Sequence, residues 1–193
     1  MQSQLRTDGQ KSYDWVMLGG DDMYVIVEHL KDYLLSLRRD LGDADQPLYV
    51  GRTLRQTRRL VYNTGGPGYV LNRAAIAQLA NHLDTPLCFS HAPVSFEDVM
   101  VGSCLAELGI HPLNSKDELR RERFHWQEPY VEYTGDSEDY KYFSSPALFN
   151  LPVQLGENCC SANSISFHNM KPAMYVQCFH SRIYENCGQE EFN

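Results

Sequence analysis

The chain has no excess of positive charge: 17 Lys and Arg face 25 Asp and Glu, a formal net charge of −8 over 193 residues. Binding along a nucleic-acid backbone needs a basic footprint that displaces counterions, so nucleic acid is excluded as a partner class. Long apolar runs are also missing. Stretches such as Tyr24–Val27 and Tyr69–Leu71 fall far short of the ~20 residues a spanning helix needs. Met1–Ser12 carries Gln, Ser, Arg, Asp and Lys around no apolar segment, which excludes a secretory signal there. The chain contains no Asn-x-Ser/Thr sequon, no Cys-x-x-Cys pair, no internal repeat and no low-complexity tract. The missing Cys-x-x-Cys spacing argues against zinc ribbons and thioredoxin-like redox work.

What is present is an ordinary globular composition, 42% hydrophobic and 22% charged, enough for one core and one domain over residues 1–193. The six cysteines, Cys88, Cys104, Cys159, Cys160, Cys178 and Cys187, are an even number. Three disulfides in an oxidising compartment is the reading preferred, with buried free thiols in a reducing one as its alternative.

Tyr13–Leu18, rich in aromatic and apolar residues, reads as a short strand ended by Gly19 and Gly20. Asp21 and Asp22 follow at once. Leu30, Tyr33, Leu34 and Leu37 then recur at i, i+3, i+4 and i+7, one face of an amphipathic helix over Val27–Arg38. Residues 42–47 read as a polar loop and Leu48–Gly51 as a second strand. Three glycines and a proline in Asn63–Gly68 suit neither helix nor central strand, so this is a loop that permits close backbone approach. Helices are predicted over Arg73–Leu83, capped by Asn72, and over Ser95–Leu108, stopped by Gly109. Beyond Asn114 helix signals are few, and aromatics accumulate at Tyr130, Tyr133, Tyr140, Tyr142, Phe143 and Phe149.

Each chemistry-bearing group also has a structural explanation. Asp21 and Asp22, in a turn after a strand, offer hard oxygen ligands to Mg²⁺ or Mn²⁺, yet Asp-Asp after Gly-Gly is also ordinary turn chemistry. Glu97 and Asp98 follow Ser95 in a capping-box-like pattern that the helix dipole favours without any catalysis; the functional alternative is a general base. His168 supplies either a metal-binding imidazole or a half-buried polar group. The Tyr130–Phe149 aromatics supply either a sugar-stacking platform or an irregular core.

Their order along the chain resembles a known family. Tyr13-Asp14-Trp15-Val16, with Gly20-Asp21-Asp22-Met23-Tyr24-Val25, is similar to Y-D-W-F…D-D-D-T-Y-V of the core 1 β-1,3-galactosyltransferases, within the fringe-type β-1,3-glycosyltransferases. Gly65-Gly66-Pro67-Gly68-Tyr69-Val70-Leu71 resembles its G-G-A-G-Y-V-L. Cys88…Glu97-Asp98-Val99…Gly102…Cys104 resembles C…E-D-L…G-x-C, Phe124-His125 matches F-H, and Cys159-Cys160-Ser161…Ser166-Phe167-His168 is similar to C-C-S-D…S-F-H. The first Asp of the family's D-x-D falls on Gly20.

The resemblance implies a GT-A fold, an α/β architecture with a mostly parallel central sheet and flanking helices, of which this chain would be the C-terminal part of one truncated domain. It implies an inverting enzyme that uses Mn²⁺ and transfers galactose from UDP-galactose in β-1,3 linkage to N-acetylgalactosamine on a glycoprotein. The alternatives are a non-catalytic, chaperone-like relative and a fringe-like N-acetylglucosaminyltransferase. On this basis Asp22 and His168 are the metal ligands and Asp98 is the base, with Glu97 as its fallback. Asp21, Gly65, Gly66 and Gly68 are the substrate-binding residues, and the glycines leave room for the sugar. Cys88 pairs with Cys104, while Cys159, Cys160, Cys178 and Cys187 keep three connectivities open. The implied location is the Golgi lumen, through a type II membrane anchor absent from this chain, and a homodimer stays open.

Overall fold

The computed structural model describes residues 13–41, 46–56, 60–89, 96–138, 153–171 and 180. The chain opens with β1 (Trp15–Leu18), β2 (Tyr24–Val25) and helix α1 (Val27–Leu41), followed by β3 (Tyr49–Gly51) and β4 (Thr53–Arg55). β5 (Val61–Asn63) and β6 (Tyr69–Asn72) flank the glycine loop, and α2 (Arg73–His82), α3 (Pro86–Phe89) and α4 (Glu97–Glu107) follow. β7 (Phe124–His125), α5 (Pro129–Thr134), a 3₁₀ turn at Gly156–Asn158 and β8 (Ser166–Phe167) complete the order.

The main sheet has the order β1-β6-β3, a second has the order β2-β8-β7, and β4 with β5 forms a hairpin. β6 is antiparallel to both of its neighbours. A mostly parallel central sheet is therefore not found among the described residues, where the parallel strand pair is β7 with β8. The reason lies in the connection. β1 and β3 run the same way and are joined through α1, as parallel strands with a helical crossover are, but β6 inserts between them.

Alternation along the strands gives this sheet two apolar faces. Val50 and Val70 lie with Trp15 and Met17 beneath Leu30, Tyr33, Leu34 and Leu37 of α1, the stripe read from the sequence. Tyr49, Tyr69 and Leu71 face the other way, against Ala75, Ile76 and Leu79 of α2 and Val101 and Leu105 of α4. Each fully buried apolar side chain contributes about 1.5–3 kcal/mol, so β6, buried at all four residues, is held from both sides.

Asn72 caps α2 as predicted, its Oδ1 accepting from Ala75 N at 2.9 Å and from Leu48 N at 2.8 Å. Gly109, at φ +74°, ends the turn after α4. The α4 start differs from expectation: Phe96 is the N-cap and supplies no side-chain bond, and Ser95 lies outside the described residues. α5 was not anticipated, although Pro129 in its first turn and the Glu128 carboxylate accepting from Tyr130 N at 2.8 Å are ordinary start signals. Cys88 is bridged to Cys104, joining α3 to α4, and Cys159 is bridged to Cys160; Cys178 and Cys187 lie outside the described residues. Among the described residues no helix is long and apolar enough to cross a membrane.

Candidate functional site

Strand register brings Asp22 to His168. β2 and β8 pair Tyr24 with Phe167 and Val25 with Ser166, so extending the antiparallel ladder back through the acidic turn sets Asp22 opposite the residues after Phe167. Met170 N donates to Asp22 O at 3.0 Å, and His168 N donates to His125 O at 3.1 Å on the neighbouring strand. The two sequence-predicted metal ligands are thus delivered by two strands of one sheet.

His168 Nδ1 lies 3.0 Å from the Trp126 carbonyl. A carbonyl only accepts, so Nδ1 carries a proton and Nε2 is the ring nitrogen left for another partner. That Nε2 faces Asp22 Oδ1 at 3.2 Å. Two acceptors at this distance call for a cation between them, either a proton or a metal ion. Cis ligands of an octahedral ion with bonds of 2.0–2.1 Å stand about 2.9 Å apart, so the donor pair fits a hard divalent cation. Among the described residues no group of three or more His, Cys, Asp or Glu converges. Such an ion would draw the rest of its shell from water and substrate oxygens, as Mg²⁺-type sites do.

Lys171 completes this cluster: its Nζ is 2.9 Å from Asp22 Oδ2. The hydrogen bond from Lys171 is the main cause holding the Asp22 carboxyl below its ordinary value, and it raises Lys171 in return. Asp21 is exposed and contributes to the field at Lys171.

The glycine loop packs between this cluster and the start of α4. Gly65 O accepts from Gly20 N and from Gly68 N, each at 3.0 Å. A Cβ on Gly66 would fall 2.7 Å from His168 Nδ1, so the loop backbone lies directly on the imidazole. Gly68, at φ +80°, would carry a Cβ 2.6 Å from Met17 Cε. Contacts within the chain therefore already require glycine at positions 66 and 68.

On its other side the loop is gripped by Asp98. Oδ2 accepts from Gly65 N at 2.8 Å and from Thr64 Oγ1 at 3.2 Å, and Oδ1 accepts from Val99 N at 2.8 Å. This carboxylate thus binds the loop across from α4, while Ser95, its partner in the capping-box alternative, lies outside the described residues. Glu97 takes a different partner, the Tyr69 hydroxyl, which donates to Oε1 at 2.5 Å. Burial, with the Glu97 hydrogen bond second, pushes the Tyr69 phenol well above its usual range. Tyr62, beside Gly102, is raised to about 12 by burial and then by the Asp98 charge.

The structure brings the expected Asp22 and His168 together and sets Asp98 against the glycine loop, and it adds Lys171, Thr64, Tyr69 and the Trp126 carbonyl, which the sequence did not single out. Lysine beside a candidate ligand is a signal of a kind, but it gains meaning only once β8 is paired with β2. Of the aromatic segment, Tyr130 and Tyr133 are exposed on α5, while Tyr140, Tyr142, Phe143 and Phe149 lie outside the described residues.

These features converge with the comparisons. The family model described as Fringe-like matches residues 1–181, and the chain belongs to that family. It is 33% identical over 159 residues to Glycoprotein-N-acetylgalactosamine 3-beta-galactosyltransferase 1 of Xenopus laevis, covering 82% of this chain and 42% of the relative. It is also 30% identical over 107 residues to Chondroitin sulfate synthase 3 of Mus musculus, covering 50% of this chain and 11% of that protein. The chain thus spans less than half the length of these curated relatives.

Proposed function

We propose that this chain carries the metal-binding and base-bearing part of an inverting GT-A-type glycosyltransferase that moves galactose from UDP-galactose to the 3-hydroxyl of protein-linked N-acetylgalactosamine. The observation that carries the reading is that Asp98 and His168 hold consecutive residues of one loop. Asp98 bonds Gly65 N at 2.8 Å, and the His168 ring lies against Gly66. Consecutive Cα atoms are about 3.8 Å apart, so base and metal candidates border the same short stretch of backbone.

Asp22 and His168 would hold the ion, and Mn²⁺, when bound, would stabilise negative charge developing on the departing UDP. Asp98 accepts three hydrogen bonds, of the roughly four a carboxylate can take, which leaves Oδ1 room for a proton. In the transfer, that oxygen takes the proton of the acceptor hydroxyl while the hydroxyl oxygen bonds to the anomeric carbon. The bond to UDP breaks on the opposite face, inverting the centre. Thr64 and Gly65 keep the carboxylate from rotating away. The bridge between Cys88 and Cys104 supports a luminal, oxidising location such as the Golgi.

The test is Asp98→Asn, assayed with UDP-galactose and an N-acetylgalactosamine glycopeptide. The expected result is a kcat lower by roughly 10²–10⁴-fold with donor affinity nearly unchanged. Turnover like wild type with a lowered Tm would reduce Asp98 to a structural residue and pass the base role to Glu97.

One observation favours a second reading, a non-catalytic helper. Gly20 occupies the position of the family's first D-x-D carboxylate, and a Cβ there would lie 3.0 Å from Asp22 Oδ1 and 3.9 Å from His168 Cδ2. That position borders the site yet brings no charge to it. Intact binding of Mn²⁺ and UDP with no turnover would select this reading.

A further inference from the structure

The Asp22 carboxylate has two oxygens with different duties. Oδ1 faces His168 Nε2 at 3.2 Å, while Oδ2 faces Lys171 Nζ at 2.9 Å. A divalent ion seated between Oδ1 and the imidazole would leave Oδ2 accessible to the lysine, but would bring two positive centres onto one carboxylate.

Lys171 projects from an anchored backbone. Met170 N donates to Asp22 O at 3.0 Å and Lys171 N donates to Asn169 O at 2.9 Å. Asn169 sits at φ +56°, and its Nδ2 donates to Gln127 Oε1 at 2.8 Å. The lysine side chain itself is 72% exposed. Its base is fixed and its ammonium group meets water, so it is able to exchange partners without moving the fold. Asp21, in the same turn, adds a second negative charge near the ammonium.

We infer that Lys171 is the resident counter-cation of this site: it neutralises Asp22 while no divalent ion is bound, and turns to the donor's diphosphate when metal and donor enter together. The inference rests on the donor-site reading above and adds to it a residue and a coupling. Without a nucleotide, Lys171 opposes the incoming ion by repulsion. With a diphosphate present, the same charge attracts it, so ion and nucleotide favour each other's binding.

Lys171→Met removes the charge and keeps most of the stem, and Lys171→Arg keeps the charge. Mn²⁺ affinity is measured without nucleotide, from the electron paramagnetic resonance signal of the free ion. UDP affinity is measured by calorimetry in EDTA. The expected result is opposite in sign for the two ligands: Lys171→Met binds Mn²⁺ roughly 3- to 10-fold more tightly and UDP roughly 3- to 10-fold more weakly, the scale of one partly screened charge. Lys171→Arg stays near wild type in both. Unchanged affinities in Lys171→Met, or losses for both ligands, overturn the inference while leaving the donor site standing. A wild-type protein that binds neither Mn²⁺ nor UDP overturns the donor-site reading itself, and the inference with it.

Discussion

Two clusters of paired opposite charges put carboxylates and cationic side chains to different ends. In one, Glu122 Oε2 meets Arg52 Nη1 at 3.1 Å and Oε1 meets Lys116 Nζ, with side-chain exposures of 6%, 1% and 6% respectively. In the other, Asp22 meets Lys171 with exposures of 15% and 72%. The first is closed: Arg52 Nη1 also reaches the Phe124 carbonyl at 3.4 Å, and the Glu122 backbone bonds Cys159 O and Ser161 N. Burial drives Lys116 down, with Glu122 opposing. Buried charges left unpaired carry a desolvation penalty of several kcal/mol each, so this cluster ties the β3–β4 junction at Arg52 to β7 and to the segment between α4 and β7. Water access at Lys171 removes that demand. An ion pair that water is able to replace is free to trade its partner for a ligand.

The largest effect that separates the clusters is expected from Glu122→Gln. Leaving Arg52 and Lys116 without their carboxylate should lower stability by about 3–5 kcal/mol, read as a fall in denaturation midpoint. A loss below about 1 kcal/mol would remove the distinction between the two clusters.

Gly66→Ala comes next. Its methyl group would meet His168 Nδ1 at 2.7 Å and Cε1 at 2.8 Å, displacing the ring from the Trp126 carbonyl at a cost of about 1–3 kcal/mol. Thermal unfolding and Mn²⁺ titration should both weaken in this variant, whereas unaltered Mn²⁺ affinity would argue against His168 as a ligand.

Asp22→Asn should act on binding far more than on folding. Its lysine partner is largely in water, so the stability change should stay within about 0.2–1 kcal/mol. Mn²⁺ affinity should nonetheless fall at least about 10-fold, because hard cations need the anionic oxygen. Calorimetry that finds equal affinity would sink the assignment.

The smallest effect is spectroscopic. Tyr62 is raised to about 12 by burial and by Asp98, and Tyr33 to about 12 by burial, with Arg123 opposing. A phenol whose folded value is raised contributes stability that is fully present below its unfolded value near 10. That contribution is lost as pH rises through the folded value. Tyrosinate absorbance should show these two rings ionising late, and Asp98→Asn should bring the Tyr62 step earlier while leaving that of Tyr33 in place.

Much of the local structure was legible in the sequence. The apolar stripe of α1, the Asn72 cap and the Gly109 stop depend on neighbours within a few residues, and all three appear as read. Ordered motifs named Asp22, His168 and the Cys88–Cys104 pair, and the structure sets the first two side chains 3.2 Å apart and bridges the cysteines. β6 was not, although Tyr69-Val70-Leu71 after a glycine loop is a strand signal. A run apolar on both faces looks alike in a strand or a buried helical turn until its neighbours are known.

By itself, then, the sequence determined which residues could form a helix face, cap a helix, turn tightly or bind a hard cation, because periodicity, side-chain chemistry and glycine's freedom act locally. Only the tertiary structure decided that β6 would separate β1 from β3, and that β2–β8 register would set Asp22 against His168 and Lys171. It also decided that Asp98 would hold the glycine loop. Each of these depends on which backbone groups and apolar faces find each other across long chain separations. Those choices are made by the burial and pairing of the whole chain together, which no short window of sequence contains.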